Sequence, residues 1–249
     1  MFFRILTIVF VGFIAALPAG AAEDLHAEFD LLLSVYATEN GVRYEAWAES
    51  PEDMQRLNGY IDHLEAVALA ELEPAEALAY WINLYNAVTL ELVLSHYPVD
   101  SIKETAGFLK SPWKKKLVTV GGTKLSLNAI ENDVIRPQFQ DARIHFALNC
   151  ASVGCPPLAG KAYRGGSLDD QLDHACRHAL NDPRWVRIEN DRLVLNKIFD
   201  WYREDFDQGA GSVLAFIARY RDDGDRLAKK AGTLKIKHAD YDWSLNQCH

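Results

Sequence analysis

The sequence predicts a mostly helical α+β domain built around one buried helix, and three observations support this. The 249-residue chain is 49% hydrophobic and 24% charged, which is typical of a globular domain. Several segments carry apolar residues at helical spacing, and residues 75–94 are apolar on nearly every face, as in a helix inside a core. Two pairs of short apolar segments are separated by turn residues, as in β-hairpins. We expect one domain over residues 23–249.

The N-terminal third of this domain is predicted to be helical. Apolar residues at helical spacing predict a helix over residues 23–36, which ends before the turn pair Asn40-Gly41. A second amphipathic helix is expected over residues 51–72. Pro74 then starts the buried helix, which ends before Tyr97-Pro98.

The middle of the chain alternates between hairpin and helix signals. Residues 116–126 predict a β-hairpin, because Gly121-Gly122 can supply the positive φ values of a tight turn. Ser126 is placed to cap a helix that runs up to Pro137. The apolar segment 143–148 is predicted to be a strand that leads into a loop with two cysteines.

The C-terminal part continues in the same mixed pattern. The predicted elements are a helix over residues 167–180, a hairpin over 185–195 that turns at 189–191, helices over 197–206, 212–220 and 222–231, and a final extended piece through 235–237 and 241–243. No internal repeat or long linker interrupts them, so one α+β domain is the simplest interpretation.

The first 22 residues predict export. Arg4 precedes an apolar run over residues 5–17, and the small residues 19–22 follow, which is the pattern of a secretory signal peptide. The run is short for a membrane span, which needs about 20 residues. We therefore expect cleavage after Ala21 or Ala22, a periplasmic or secreted protein, and no stable membrane insertion after cleavage.

The charge balance limits the partners of the protein. Lys and Arg number 26 against 35 Asp and Glu, which gives a net charge of −9. Because nucleic-acid binding depends on clustered basic residues, we expect no nucleic-acid partner. A small molecule or a peptide is the expected ligand, and the sequence leaves the oligomeric state open.

The densest cluster of chemically active side chains lies at residues 145–157 and includes a histidine, an asparagine and two cysteines. A thiol enzyme needs a cysteine whose thiolate is favoured by a nearby base, and a third group that orients this base. His145 is the expected base, and Cys150 or Cys155 is the expected nucleophile. If the segment is a strand, His145 and Cys150 lie on opposite faces, so the chain must turn before Cys150.

The same cluster supports other interpretations. In an oxidising compartment Cys150 and Cys155 could form a structural disulfide, with His145 as a satisfied core residue. A reversible redox pair is a third alternative, although the spacing differs from CxxC. One histidine and two cysteines lack a convincing fourth zinc ligand, so we expect no metal and no other cofactor.

Polar residues outside the loop are candidates for supporting roles. Asn83 and Asn86 share one stripe of the buried helix, where they either face a site or hold loop backbone from inside. We expect Asn83 or Asn149 to serve as an oxyanion donor. Glu131 is the expected group that orients His145, with substrate binding or a surface ion pair to Arg136 as alternatives.

One spacing resembles a metal motif but has a simpler interpretation. Asp170, His174 and His178 have i, i+4, i+8 spacing on a predicted helix. They lie opposite its apolar face, so we expect a solvated face. The same helical wheel places Cys176 in the core as an inert thiol.

Longer motifs resemble one protein family. They lie at residues 80–87, 126–131 with Arg136, 143–157, 198–202 with Asp205-Phe206, and 241–246. Together they resemble the domain of unknown function 547 family, over about residues 25–246. That family occurs in bacterial exported proteins and at the ends of some plant proteins, and its name records that no activity is established.

The resemblance extends to a distant likeness with papain-like and transglutaminase-like thiol enzymes, which implies a central helix packed on a small antiparallel sheet. In those enzymes the nucleophilic cysteine starts the central helix, whereas residues 80–83 contain no cysteine. We therefore expect a nucleophile in the loop with Cys150 and Cys155, or a scaffold without this chemistry.

The leading hypothesis is a thiol-dependent amide hydrolase or acyl transferase, acting on a peptide-like or thiol-containing small substrate. The alternative is a non-catalytic periplasmic binding or scaffold module with a structural disulfide between Cys150 and Cys155.

Overall fold

The structure is a computed structural model that describes residues 24–107 and 111–248. The predicted signal peptide at residues 1–22 lies outside the described residues. The described chain is a mostly helical α+β protein with small sheets, as the sequence predicts.

The α-helices in the described ranges account for most of the regular structure. They are α1 (Ala27–Tyr36), α2 (Tyr44–Ala48), α3 (Pro51–Glu65), α4 (Pro74–Leu94), α5 (Leu127–Ala129), α6 (Arg136–Phe139), α7 (Leu168–Leu180), α8 (Ile198–Trp201), α9 (Arg203–Ala210), α10 (Val213–Tyr220) and α11 (Gly224–Ala231). Short 3₁₀ helices occur at Leu69–Glu71, Ile102–Ala106, Pro112–Lys114, Ala142–Phe146 and Gly165–Ser167, and a π-helical segment at Ile130–Ile135.

The strands form three small sheets. They are β1 (Ala37–Thr38) with β2 (Gly41–Val42), β3 (Lys116–Val120) with β4 (Thr123–Ser126), and β5 (Val186–Glu189), β6 (Arg192–Leu195) and β7 (Lys235–His238) in the third. The two predicted hairpins are confirmed, and Gly121 and Gly122 have the expected positive φ values of 55° and 78°. The final extended piece adds β7 in parallel to β6.

Helix α4 is the buried centre of the protein, as predicted. Pro74 is its first residue, where the missing N–H costs nothing. By length and composition α4 could cross a membrane, but 89% of its most apolar window is buried inside the protein. Its main neighbours are α3 and short helical segments such as Gly165–Ser167 and Ile130–Ile135. Helices cover most of the surface of α4. The papain-like arrangement, in which the central helix packs on a small antiparallel sheet, therefore stays a prediction.

The apolar interior forms two clusters that meet at one short helix. The first cluster surrounds α4, and the second lies between α7 and α10. The 3₁₀ helix Ala142–Phe146 lies between them, with Ile144 in the first cluster and Phe146 in the second. This position fixes the segment that carries His145.

The predicted strand at residues 143–148 is wrong, since the segment is the 3₁₀ helix Ala142–Phe146. Asp141 Oδ1 accepts hydrogen bonds from the Arg143 backbone N at 2.9 Å and from Arg143 Nε at 3.0 Å, which closes a turn. A short apolar run between two cores is apolar on all sides, so its pattern does not distinguish strand from helix. The objection that His145 and Cys150 lie on opposite faces of a strand therefore does not apply.

The helix predicted after Ser126 forms with an irregular centre. Ser126 Oγ accepts a hydrogen bond from the Ala129 backbone N at 3.2 Å, so the predicted cap is confirmed. The chain then widens into the π-helical segment Ile130–Ile135 before α6. Such widened turns are frequent at functional sites, and this one carries Glu131.

Candidate functional site

A cavity of about 310 Å³ lies where the cysteine loop meets the π-helical segment and the residues after β7. We call it the thiol cavity. Its lining residues are Tyr85, Ser111, Trp113, Asn128, Glu131, Asn132, His145, Leu148, Cys150, Cys155, Ile198, Trp201, Tyr202, Tyr241 and Trp243. Four of the six candidate site residues therefore come together here, whereas Asn83 and Asn149 do not line the cavity.

His145 is held rigidly in the cavity wall. Its side chain is 1% exposed, and its ring stacks on Tyr202 with a centroid distance of 4.0 Å. His145 Nε2 lies 2.7 Å from Asp205 Oδ2. Because a carboxylate only accepts hydrogen bonds, Nε2 carries the proton and Nδ1 is the basic atom of the neutral ring. In the described part of the chain His145 Nδ1 has no hydrogen-bond partner.

Asp205 is the group that orients His145, a role that the sequence analysis assigned to Glu131. Arg136 Nε and Nη2 also donate to the Asp205 carboxylate, each at 2.7 Å. Burial alone would raise the pKa of Asp205, but the hydrogen bonds from His145 and Arg136 hold it well below its usual range. Asp205 therefore stays charged beside the imidazole, and Arg136 supports His145 indirectly.

Glu131 lines the thiol cavity and forms no hydrogen bond with His145. The residue is 8% exposed. Burial raises the pKa of the Tyr202 hydroxyl, and the neighbouring Glu131 carboxylate raises it further. The cavity thus contains one acidic side chain that the histidine does not use.

Cys150 is the cysteine with the environment of a thiolate. It is half-buried, and its Sγ lies 3.1 Å from Ser152 Oγ and 3.2 Å from the Tyr241 hydroxyl. A hydrogen bond from the Cys155 thiol, together with those from Ser152 and Tyr241, lowers the pKa of Cys150 despite its burial.

Cys155 has the opposite environment. It is buried, and burial raises the pKa of its thiol well above the usual range. Its Sγ accepts a hydrogen bond from the Cys150 backbone N at 2.8 Å and lies 3.6 Å from the Leu148 carbonyl oxygen. Cys150 is therefore the better nucleophile candidate. Both cysteines are free thiols, as are Cys176 and Cys248, so the disulfide of the alternative hypothesis is not present in the structure.

The loop after His145 is held in a strained conformation by buried amides. Ala151 has a φ of 59°, which is rare for a residue other than glycine. Asn149 Oδ1 accepts the Ala151 backbone N–H at 2.9 Å, and Asn86 Oδ1 accepts that of Asn149 at 2.8 Å. Asn86 Nδ2 also donates to the Ala147 carbonyl at 2.9 Å. Asn86 thus holds the cysteine loop from inside, which is one of the two roles expected for it.

Asn83 does not line the thiol cavity, so the structure does not bring it together with the other candidate residues. Its Oδ1 accepts from the Tyr163 backbone N at 2.9 Å, and its Nδ2 donates to the Tyr163 carbonyl at 2.8 Å. The amide nitrogen of Asn149 also has a backbone partner, because its Nδ2 donates to the Pro156 carbonyl at 2.7 Å. Both residues position backbone.

The sequence analysis gave no role to Asp205, Tyr202 and Tyr241, which complete the site. A usable signal existed for two of them, since Tyr202, Asp205 and Phe206 have i, i+3, i+4 spacing on one helix face. All three contact His145. Tyr241 lies 91 residues from Cys150 in the chain, and no local pattern predicts that contact.

The residues set aside as a solvated face are confirmed as such. Asp170, His174 and His178 are exposed, and Cys176 is buried in the core. Within residues 24–107 and 111–248, no group of three or more His, Cys, Asp and Glu side chains could hold a metal ion.

Comparison with protein families gives one match. The family model described as "Protein of unknown function, DUF547" matches residues 69–179. Neither the curated proteins nor the solved structures give a match. The matched segment includes α4, the π-helical segment and the cysteine loop, whereas Asp205 and Tyr241 lie beyond it. The segment over residues 69–179 is therefore a DUF547 segment, as the resemblance of its motifs predicts.

Proposed function

We propose that the protein is a thiol-dependent amide hydrolase or acyl transferase in which Cys150 is the nucleophile and His145 is the base. One observation carries the proposal: His145 is fixed by a 2.7 Å hydrogen bond to the charged Asp205, with Nδ1 unpartnered in the described part of the chain, and it lines the same cavity as Cys150. A nucleophile, a base and an orienting group form the arrangement that thiol chemistry requires.

The reaction would proceed in two steps. In the first, Cys150 Sγ transfers its proton to His145 Nδ1 and attacks the carbonyl carbon of the substrate, forming a C–S bond. The C–N bond then breaks, and the amine leaves with the proton from His145. In the second, water or an acceptor amine attacks the thioester and gives a proton to His145, the C–S bond breaks, and His145 returns this proton to Cys150 Sγ.

The charged Asp205 has a defined part in this sequence. The imidazolium that forms in each step is stabilised by a carboxylate 2.7 Å from Nε2. Arg136 keeps that carboxylate ionised. His145 and Cys150 share no hydrogen bond in the structure, which is common before substrate binds, because catalytic hydrogen bonds often tighten only in the complex.

The place of action is part of the proposal. We infer that the protein works in the periplasm or outside the cell, because residues 1–22 have the composition and order of a signal peptide. The test is fractionation of cells that express the full chain, followed by N-terminal sequencing. A mature protein that begins at residue 22 or 23 supports export, and an intact Met1 in the cytoplasmic fraction contradicts it.

The activity can be tested without knowing the natural substrate. The full chain is mixed with p-nitrophenyl acetate, nitrophenolate release is followed, and the acetylated residue is located by mass spectrometry. We expect a burst of nitrophenolate and an acetyl group on Cys150. The Cys150→Ser variant should lose both. The matched control is Cys248→Ala, since Cys248 is a half-buried thiol that does not line the thiol cavity. A burst that persists in Cys150→Ser contradicts the proposal.

A non-catalytic binding module is the competing function, and the aromatic lining of the cavity favours it as well. Under that alternative the cavity binds its ligand but leaves it unchanged. Cys150 would then be acetylated no faster than Cys248, although both proteins remain folded. The rate ratio between these two cysteines in one sample therefore separates the two functions.

A further inference from the structure

We propose that the thiol cavity recognises an alkylammonium group, so that its substrate is a peptide-like amide with a lysine-like cationic side chain. This inference rests on the proposed function of the same cavity and specifies its substrate class. It is carried by the juxtaposition of an aromatic wall with a buried carboxylate, Glu131, that forms no ion pair within the described residues.

The aromatic wall consists of Trp113, Trp201, Tyr241 and Trp243, which all line the cavity. Their rings are in continuous contact, with centroid distances of 4.9 Å for Trp201 and Tyr241, 4.5 Å for Tyr241 and Trp243, and 5.3 Å for Trp113 and Trp243. The Tyr241 hydroxyl lies 3.2 Å from Cys150 Sγ, so the wall starts at the nucleophile. A ligand that places one group on this aromatic wall can therefore place another of its groups at the Cys150 thiol.

Aromatic rings of this kind attract cations through their faces. The protein already uses one of them in this way, because Lys103 Nζ lies 3.9 Å from the ring centroid of Trp243. Lys103 is not among the residues that line the cavity. Trp201 is 46% exposed, which leaves a large aromatic surface accessible to a ligand.

Glu131 provides the second half of the site. The residue is 8% exposed and is the only acidic residue in the described lining, which contains no lysine or arginine. In the described part of the chain no Lys, Arg or His side chain forms an ion pair with Glu131, and Arg136 pairs with Asp205 instead. Arg136 acts on Glu131 only from beyond ion-pair distance, so an ammonium ligand in the cavity could form the direct ion pair that Glu131 does not have.

Other ligand classes fit the cavity less well. An anionic ligand would face the Glu131 carboxylate in a partly desolvated space, where like charges repel strongly. A neutral apolar ligand would contact the aromatic wall but would form no ion pair with Glu131. The net charge of −9 also favours the approach of cations over anions.

The test measures binding in the full-length Cys150→Ser variant, so that no chemistry follows. Isothermal titration calorimetry compares N-acetyl-lysine methylamide with N-acetyl-norleucine methylamide, whose side chain lacks only the amino group. We expect the lysine compound to bind about tenfold more tightly, the scale of a partly desolvated cation–π contact together with a charge pair. Equal affinities for the two compounds overturn the inference.

Two further variants locate the preference. Adding Glu131→Gln should reduce the ratio of the two affinities to about one, because the counter-charge is gone. The matched control is Asp133→Asn, an exposed acid on the same π-helical segment, and it should keep the full ratio. Trp201→Leu changes an exposed ring and therefore leaves folding intact, and it should weaken lysine binding severalfold. A preference that survives Glu131→Gln also overturns the inference.

The outcomes separate this inference from the proposed function. Acetylation of Cys150 without a preference for the lysine compound keeps the thiol enzyme and removes the cationic substrate. A preference for the lysine compound without acetylation keeps the recognition site and removes the enzyme.

Discussion

Two cavities of this protein differ in whether their charged side chains are paired with one another. The thiol cavity measures about 310 Å³. A larger groove of about 570 Å³, which we call the acidic groove, is lined by four aspartates and two arginines among other residues: Asp141, Asp169, Asp170, Asp173, Arg143 and Arg219. In the groove Arg143 lies 2.6 Å from Asp141 and 2.8 Å from both Asp169 and Asp173. In the thiol cavity, within the described part of the chain, His145 Nδ1 has no hydrogen-bond partner and Glu131 forms no ion pair.

The two cavities lie on either side of one short helix. Arg143 and His145 both belong to the 3₁₀ helix Ala142–Phe146, and Arg143 lines the groove whereas His145 lines the thiol cavity. The comparison teaches that neither volume nor number of charges identifies a site. Groups that already satisfy one another hold the fold, and groups left with free capacity are available to a ligand.

The largest expected effect on the comparison comes from the replacement of His145, the base of the thiol cavity. His145→Gln should slow acetylation of Cys150 by about 100-fold, the lower end of what a general base contributes. The measurement is the burst rate with p-nitrophenyl acetate, and circular dichroism checks that the variant is folded. An unchanged rate would mean that Cys150 reacts without help, and the distinction between the two cavities would fail.

A smaller effect is expected when Asp205, the carboxylate that holds His145, is replaced. Asp205→Asn should lower the free energy of unfolding at neutral pH by about 2 kcal/mol, because charged hydrogen bonds to Arg136 and His145 are weakened. The folded pKa of Asp205 is depressed, so its stabilisation is present above its unfolded pKa of about 3.8 and is lost as the pH falls further.

Urea titrations of both proteins at several pH values check the pH dependence of this pair. The difference between wild type and Asp205→Asn should be constant from pH 5 to 7 and shrink only below about pH 4. A difference that disappears already near pH 6 would show that Asp205 is not the group responsible.

The acidic groove should respond to substitution in stability alone. Arg143→Met keeps the length of the side chain but leaves Asp141 and Asp173 without their cation, so we expect a loss of about 1.5 kcal/mol of unfolding free energy. The acetylation rate of Cys150 should stay within twofold of wild type. A large fall in that rate would show that the groove and the thiol cavity act as one site.

The smallest effect is expected at the rim of the groove. Asp170 is exposed and forms none of the ion pairs of Arg143. Asp170→Asn should therefore change the unfolding free energy by less than about 0.5 kcal/mol. Denaturation at neutral pH measures it, and a loss above 1 kcal/mol would reveal a structural role that the contacts do not account for.

The parts of the fold that follow local rules were predictable from the sequence. Pro74 and the apolar run after it define α4, and Gly121-Gly122 and Ser126 define a hairpin and a cap. Each of these signals acts within a few residues. The 3₁₀ helix Ala142–Phe146 was missed because two cores and an aspartate turn, rather than its own apolar pattern, decide its conformation.

The candidate site was predictable only in part, for the same reason. His145, Cys150 and Cys155 were found because they are close in the sequence. Their distinct environments depend on distant groups, with Asp205 60 residues from His145 and Tyr241 91 residues from Cys150. No spacing rule links residues across such distances, so the orienting role was given to Glu131.

Residues 241–244 lie near the C-terminal end of the sequence, and this position determines when the environment of the Cys150 thiol is complete. The backbone N–H groups of Val153 and Gly154 donate to carbonyls of Ser244 and Asp242, each at 2.9 Å, and Tyr241 contributes a hydroxyl to Cys150. A ribosome synthesises the cysteine loop long before these partners. During synthesis the Cys150 thiol therefore lacks its Tyr241 hydroxyl partner and the aromatic wall beside it. The set of hydrogen bonds that lowers the pKa of Cys150 is therefore complete only when residues 241–244 have folded onto the loop.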